Sequence, residues 1–334
     1  MIIQSITLTN FRNHSSYHLE CTEQTSLILG ENGCGKTSVL EAIYILTRGK
    51  SFRATDQDIL KRGSEFYRIE LKYLDGESIT ATYNGKIKTF IKVDQKSKRL
   101  PAKHKYPVVL FLPSDLNLIS HAPSRRRDYF DRVFSELDST YSNNLTKYKK
   151  ALRQRNEILK QENLSPDQLF SWNLLLTKYG VALYQARQTL INQINTRLTP
   201  TYQSIAKNTD QINIIYQSEI KDKSEQSYLN TLEQNFSRDQ ILGHTSFGVH
   251  RDDYIFEFNS KPADGSASRG ETRSIILALK FIEADLIEQK SARKPLILLD
   301  DVFSELDPTR RQSLIDNFKN NQVILTSVEK HNIH

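Results

Sequence analysis

Gly30-Glu31-Asn32-Gly33-Cys34-Gly35-Lys36-Thr37 fits the phosphate-loop pattern G-x-x-x-x-G-K-[ST] at every fixed position. The short apolar run Ser26 to Leu29 precedes it, and Val39, Leu40, Ile43 and Leu46 follow at helical spacing within Lys36 to Leu46. Strand, glycine loop and helix therefore stand in the order a phosphate site requires. The segment suited to be its magnesium-binding partner, Leu296-Ile297-Leu298-Leu299-Asp300-Asp301, comes more than two hundred residues later. Something large is inserted between the two halves of one site.

The loop chemistry follows from residue type. Gly30, Gly33 and Gly35 let the backbone curl with its N–H groups inward, and the helix that follows turns its positive end to a phosphate. Glu31, Asn32 and Cys34 complete the cradle. Lys36 neutralises β- and γ-phosphate oxygens, and the Thr37 hydroxyl ligates Mg²⁺. Asp300 ends an apolar strand, where a carboxylate can hold a magnesium-bound water beside the loop. Asp301 is expected to orient or deprotonate the attacking water. The bland reading of this acid pair is a helix cap or a solvated turn. Cys34 is read either as an oxidisable thiol at a helix N-terminus or simply as a small residue that fits.

With 334 residues the chain has room for about two domains. Its net charge of +7 and pI near 9.1 favour a polyanionic partner or a membrane surface. Cys21 and Cys34 are the only cysteines, which excludes a disulfide framework and suits a reduced compartment. Met1 to Leu8 alternates like a strand, unlike a signal peptide, and no stretch of about eighteen apolar residues occurs. A soluble, cytoplasmic protein that spans no membrane is expected.

The first hundred residues read as short strands: 5–10, 26–29, 66–73, 78–83 and 88–93, with turn signals at Asp75-Gly76 and Asn84-Gly85. From Ser124 apolar residues recur through Phe130, Phe134, Leu137, Tyr141, Leu145, Tyr148, Leu152 and Leu159 in a heptad-like stripe. After the break Asn163-Leu164-Ser165-Pro166 a second series runs from Leu169 to Leu198 and stops at Pro200. The pattern predicts an antiparallel helical hairpin, either the core of a helical domain or a projecting arm. Strand character returns at 254–258, 295–300 and 323–326.

Two more segments carry chemistry. Ser266-Ala267-Ser268-Arg269-Gly270-Glu271 opens the helix 272–288, as an anion site at a helix N-terminus or as a plain serine cap. Ser304-Glu305-Leu306-Asp307 follows the Asp-Asp strand directly.

The order of phosphate loop, insertion, serine-glycine signature, Asp-Asp strand and S-x-L-D loop resembles the ABC-type ATPase heads of the SMC superfamily, and within it the RecF family. Leu8-Thr9-Asn10-Phe11-Arg12-Asn13, Gly49-Lys50-Ser51-Phe52-Arg53, Phe111-Leu112-Pro113-Ser114-Asp115-Leu116, Ser124-Arg125-Arg126-Arg127 and Gly248-Val249-His250-Arg251-Asp252-Asp253 extend the match over nearly the whole chain. The resemblance implies an α/β fold: an ABC-type ATPase head, with a P-loop mixed sheet, flanking helices and an N-terminal β-rich subdomain, carrying a helical insertion domain. The expected division is head at 1–118, insertion at 119–240 and head again at 241–334.

It further implies ATP and Mg²⁺ as cofactors, with Arg12, Ser268, Gly270, Asp307 and Thr326 around the nucleotide. Ser268 and Gly270 of one subunit would cap the γ-phosphate held by Lys36 of another, in an ATP-dependent homodimer. Binding to double-stranded and gapped or junction DNA, slow ATP hydrolysis and cooperation with RecR and RecO in loading RecA are implied likewise. Thr326-Ser327 stands where transporters place a histidine, so a hydroxyl would sense the γ-phosphate. Asp301 replaces a common glutamate, and Asp115 is the weak stand-in for a magnesium-loop glutamine. A transporter's nucleotide-binding subunit is the alternative, disfavoured by these departures and by the long insertion. A purely structural clamp fails because the helices are too short.

For DNA, the segment 86–105 holds eight cations (Lys86, Lys88, Lys92, Lys96, Lys98, Arg99, Lys103, Lys105) and one acid, Asp94, a balance of +7. These suit phosphate contacts that ignore sequence, or a sheet edge made basic to deter pairing. Arg125, Arg126 and Arg127 open a helix, where cations ask for an anion: either DNA phosphate, or Asp128 and Asp131 nearby.

Overall fold

The computed structural model describes residues 2–328 except 163, 221 and 223; Met1 of the first strand and Asn163 of the interhelical break lie outside the described residues. The chain separates into two compact units, Met1–Asp115 with Glu283–His334, and Leu116–Ile282.

In chain order the first unit begins with β1 (Ile3–Phe11), β2 (His14–Glu20), β3 (Thr25–Leu29), α1 (Lys36–Arg48) and α2 (Asp56–Ile59). It continues with β4 (Tyr67–Tyr73), β5 (Ser78–Tyr83), β6 (Lys88–Lys92), β7 (Gln95–Ser97) and β8 (Val108–Phe111). The second unit holds α3 (Pro123–Leu137), α4 (Ser139–Ile158), α5 (Asp167–Ala206), β9 (Ile212–Gln217), α6 (Glu225–Gln234) and α7 (Phe236–Leu242). There follow β10 (Asp253–Phe258), β11 (Lys261–Pro262), the single turn α8 (Ala263–Ser266) and α9 (Arg269–Ser291), within which the boundary falls. β12 (Leu296–Leu299), α10 (Pro308–Phe318) and β13 (Val323–Ser327) return to the first unit.

The first unit carries two sheets. The parallel sheet has the order β3-β13-β12-β8, so the phosphate-loop strand lies beside the last strand and one place from the Asp-Asp strand. Both inner strands are buried along their length, as parallel strands covered on both faces must be. The second sheet is antiparallel, β2-β1-β4-β5-β6-β7. α1 is buried on nearly every side, and its apolar residues Val39, Leu40, Ala42, Ile43, Ile45 and Leu46 join the core shared by these sheets.

Three strands of the first unit were not foreseen. β2 has few apolar residues because it is an edge strand, β8 is a four-residue run squeezed between Pro107 and Pro113, and β7 follows a two-residue turn. That turn is Val93-Asp94, with φ of 48° and 58°, where a glycine or asparagine would have announced it. The Asn84-Gly85 hairpin forms as expected, Asn84 Oδ1 accepting from Lys86 and Ile87 N–H at 3.2 and 2.9 Å.

In the second unit the expected first helix is two. Asp138 takes an extended conformation (φ −138°, ψ 113°), ends α3, and caps α4 by accepting from Thr140 N–H. α5 does not stop at Pro200 but runs through it to Ala206. An internal proline costs a helix about 3 kcal/mol, and burial of Leu198, Tyr202 and Ile205 alongside β9 offsets it. The long helical stretch is not wholly helical, since β9 lies within it and pairs with β10 from Asp253↔Gln217 to Phe258↔Ile212. The α4 and α5 stripes are core packing: Leu145, Tyr148, Leu159, Leu176, Leu183 and Ile194 are buried.

Two arginines are fully enclosed there. Arg187 bonds Asp131 at 2.8 Å and Asp252 at 3.2 Å, and Arg155 bonds Asp239, Asn173 and Thr245, each at 2.7 Å. A buried charge so costly to strand fixes the helices against one another through its partners.

Candidate nucleotide site

The site is built at the C-terminal end of the parallel sheet, the end at which such sheets bind ligands. Gly30 leaves β3, its N–H bonded to Ser327 O at 3.3 Å, and Gly33 and Gly35 turn the loop with φ of 84° and 106°. Gly35 is needed for a second reason: a Cβ there would run into Asn13 and His14 in the β1–β2 turn. Asn13 Nδ2 donates to Gly33 O and His14 Nε2 meets Gly35 O, both at 3.2 Å, so this turn clamps the loop from outside. Ser38 N–H meets Gly35 O at 2.9 Å, and the N–H groups before it, at the head of α1, are those a helix leaves without an internal acceptor and a phosphate can satisfy.

Lys36 is buried and donates to Gly30 O at 2.8 Å and Glu31 O at 3.1 Å, with Asp301 Oδ2 at 3.5 Å. The Thr37 hydroxyl lies 2.8 and 2.9 Å from the two oxygens of Asp300. Asp300 also accepts from the Thr326 hydroxyl at 3.0 Å. Burial raises the Asp300 carboxyl above its ordinary range, against the two hydroxyl bonds that pull it down. Asp301 sits in the left-handed region, φ 48°, with its N–H on Thr326 Oγ1 at 2.8 Å. Its Oδ1 is buried without a partner among the described residues.

The donor set answers whether nucleotide and magnesium fit. A hydroxyl and a carboxylate offer hard oxygen donors, and Mg²⁺ characteristically takes one or two carboxylates together with substrate phosphates. No cluster of three His, Cys, Asp or Glu suited to an all-protein metal cage exists among the described residues. Lys36, held by loop carbonyls, can exchange them for phosphate oxygens, and the orphaned Asp301 oxygen lacks only a donor. The adjoining cavity has a volume of about 490 Å³.

Glu41, Arg53, Asn13 and His14 escaped the sequence reading as site residues. Glu41 is wholly buried on α1 and receives Arg12 at 2.7 and 2.9 Å, Arg53 at 2.9 and 3.1 Å, and Ser51 at 2.6 Å. Burial alone would raise its carboxyl, but these bonds outweigh it and hold the pKa below the ordinary value. Both arginines line the cavity. The one available signal was an acid inside an apolar helix, four residues past Thr37.

Other expected residues have partners of their own. Thr326 is buried, its hydroxyl donating to Asp300 Oδ1 at 3.0 Å and accepting from Asp301 N–H at 2.8 Å. Asp307 caps α10 through Arg310 N–H at 3.0 Å and pairs with the Arg310 guanidinium. Asp115 is buried and accepts from Leu112 N–H at 3.1 Å. Cys34 is exposed. In the second unit Ser268 and Glu271 form a reciprocal cap at the head of α9, at 2.6 and 3.3 Å, with Gly270 in its first turn.

Among the DNA-contact residues, Lys88 pairs with Asp56 at 2.8 Å, and Lys92 with Glu77 at 3.1 Å. Lys86, Lys96, Lys98, Arg99, Lys103 and Lys105 are exposed, with no ion pair among the described residues. Arg126 is buried against Asp253 at 2.7 and 2.8 Å, so its counter-anion comes from β10 and not from Asp128 or Asp131. Arg127 donates to Asp252 O at 2.8 Å, while Arg125 is exposed.

Known proteins resemble this chain over nearly all of its length. Residues 1–112 match the AAA ATPase domain family. The DNA replication and repair protein RecF of Lachnoclostridium phytofermentans is 32% identical over 336 residues, covering 98% of this chain and 92% of that protein. The structure of the recombination mediator protein RecF-ATP in the RecFOR pathway superposes with a TM-score of 0.86 at 28% identity, over 100% of this chain and 93% of that one. An Smc head bound to the C-winged helix domain of ScpA matches with a TM-score of 0.54 at 13% identity, over 99% and 90% of the two chains, a likeness of fold. The fold is thus the ABC-type, SMC-like ATPase head, and the chain belongs to the RecF family of DNA replication and repair proteins.

Proposed function

We propose that this protein is an ATP-dependent DNA-binding switch of recombinational repair and replication restart, acting in the cytoplasm. The observation that carries the reading is the assembly of Lys36, Thr37, Asp300 and Asp301 into one array from the two ends of the chain. Lys36 would hold β- and γ-phosphate oxygens, and Thr37 with Asp300 would hold Mg²⁺, which when bound neutralises phosphate charge. Arg12 and Arg53, fixed by Glu41, add positive charge over the cavity. Asp301 Oδ1 would accept the proton of the attacking water. Its short side chain and its contact with Lys36 suit slow hydrolysis, used as a reset.

Ser268 and Gly270 at the head of α9 would cap the γ-phosphate held by a second copy, so that ATP drives homodimerisation. Lys86, Lys96, Lys98, Arg99, Lys103 and Lys105 would follow the phosphates of duplex, gapped or junction DNA, with Arg125 as a further contact. Cooperation with RecR and RecO in loading RecA is supported by the family and by the RecFOR setting of the structural relative. Among the described residues no helix is long and apolar enough to cross a membrane.

Sedimentation with and without ATP and gapped DNA tests this directly. The wild-type chain should dimerise only with ATP and bind DNA as the dimer, and Lys36→Met should do neither. A monomer at saturating ATP, with DNA affinity unchanged, overturns the reading.

A further inference from the structure

The parallel sheet has a second end. There the residues entering its strands, Gln24 before β3, Tyr106 before β8, Arg293 to Leu296 into β12 and Lys319 to Gln322 into β13, line an open cavity of about 690 Å³. Strands of four or five residues at about 3.3 Å each put it roughly 15 Å from the phosphate loop.

The cavity is a fixed frame. The Gln322 amide accepts from Ile3 N–H at 2.8 Å and donates to Ile3 O at 2.7 Å and Thr22 O at 2.8 Å. Asn321 Nδ2 donates to Pro295 O at 2.8 Å, and the Tyr106 hydroxyl to Lys294 O at 3.0 Å. The turn into β12 is held in a conformation that non-glycine residues rarely adopt: Ala292 has φ 52°, and the Ser291 hydroxyl donates to Arg293 O at 3.0 Å while accepting Arg293 N–H at 3.2 Å.

On this frame stand Arg293, Lys294 and Lys319, all exposed, and none has an ion-pair partner among the described residues. Glu23 is the one acid in the lining, so three cations against one acid leave a balance of +2. Burial raises the Tyr106 phenol, with the nearby Arg293 charge opposing it to a lesser degree.

We propose that this cavity is a docking site for an acidic segment of a partner protein, whose aspartate or glutamate side chains enter against Arg293, Lys294 and Lys319. A guanidinium in a concave, partly apolar setting with Tyr106, Ile2 and Leu296 suits a carboxylate flanked by apolar residues. Nucleic acid is served better by the exposed row of cations between Lys86 and Lys105, since phosphate contacts follow an extended backbone.

The test titrates a fluorescein-labelled hexa-aspartate peptide onto the full chain by anisotropy at low salt. Arg293→Glu/Lys294→Glu should weaken binding at least about tenfold, Lys319→Glu should weaken it in the same direction, and Glu23→Gln should tighten it about threefold. Unfolding midpoint, ATP turnover and duplex affinity should not change, because these side chains hold up neither the frame nor the nucleotide site. Equal peptide affinity in all variants, or no binding by the wild type, overturns the proposal. So does a parallel loss of duplex affinity, which would assign the surface to nucleic acid.

Discussion

The Thr37 hydroxyl reaches both carboxylate oxygens of Asp300, at 2.8 and 2.9 Å, although the two residues stand 263 positions apart in the chain. Everything between them folds without separating the pair, because β3 and β12 both flank β13 in one parallel sheet. Asp300→Asn keeps the shape and removes the charge. Loss of a metal's carboxylate forfeits several kcal/mol of charge stabilisation, so magnesium-dependent ATP turnover should fall by at least about 100-fold. The check is steady-state hydrolysis over a magnesium titration; turnover within a few fold of wild type would remove Asp300 from the site.

Thr326 should matter through order. Its hydroxyl bridges Asp300 Oδ1 and Asp301 N–H, and Thr326→Val strands that buried N–H at a cost of about 1 to 3 kcal/mol. Turnover should fall with nucleotide affinity little changed, and Thr326→Ser should restore it. If the serine variant is as slow as valine, the hydroxyl is not the active feature.

Asp301→Asn should leave ATP binding intact and halt hydrolysis, trapping the ATP-bound form. Gel filtration after incubation with ATP and magnesium should then show a persistent dimer; unimpaired turnover would put the base elsewhere.

Buried Glu41 holds half-buried Arg12 and exposed Arg53 side by side. Breaking such a cluster leaves two guanidinium groups facing a neutral partner, and Glu41→Gln should cost about 2 to 3 kcal/mol. Urea unfolding should show the loss, together with weaker ATP binding, since both arginines line the cavity. Full stability would mean that the arginines find other acceptors.

His250 gives a pH signature. Burial pushes its imidazole down to about 4, and its nitrogens meet Tyr148 OH at 2.8 Å and Thr245 O at 3.0 Å. With the folded pKa below the unfolded value of about 6.5, the unfolded chain takes the proton first. Stability is therefore fully present above pH 6.5, falls as pH drops from there towards 4, and levels off below. The loss approaches about 3 kcal/mol, and His250→Gln should flatten that part of the profile in urea titrations at pH 7, 6 and 5.

For DNA, replacing Lys96, Lys98 and Arg99 with alanine should weaken duplex binding and lower the salt slope by about 3. Lys88→Ala should act mainly on stability, because its ammonium is bound to Asp56. An unchanged slope in the triple variant would move the contact off the hairpin.

The phosphate loop, its strand and helix, the Asp-Asp strand and the helical stripes were legible because each is local: a spacing, a period or a run of residues that dictates its own conformation. Strands signalled by apolar alternation or Asn-Gly were readable, whereas β2, β7 and β8 were not, since an edge strand, a Val-Asp turn and a four-residue run carry too little pattern. Likewise nothing near Asp138 or Pro200 told which helix would break and which would continue, because burial of Leu198, Tyr202 and Ile205 decided it. The sequence by itself determined the chemistry available, Lys36 and Thr37 at one end and Asp300 and Asp301 at the other. Only the tertiary structure decided which groups are free to use: Arg126, Lys88 and Thr326 are held by Asp253, Asp56 and Asp300, partners remote in sequence and supplied by burial alone.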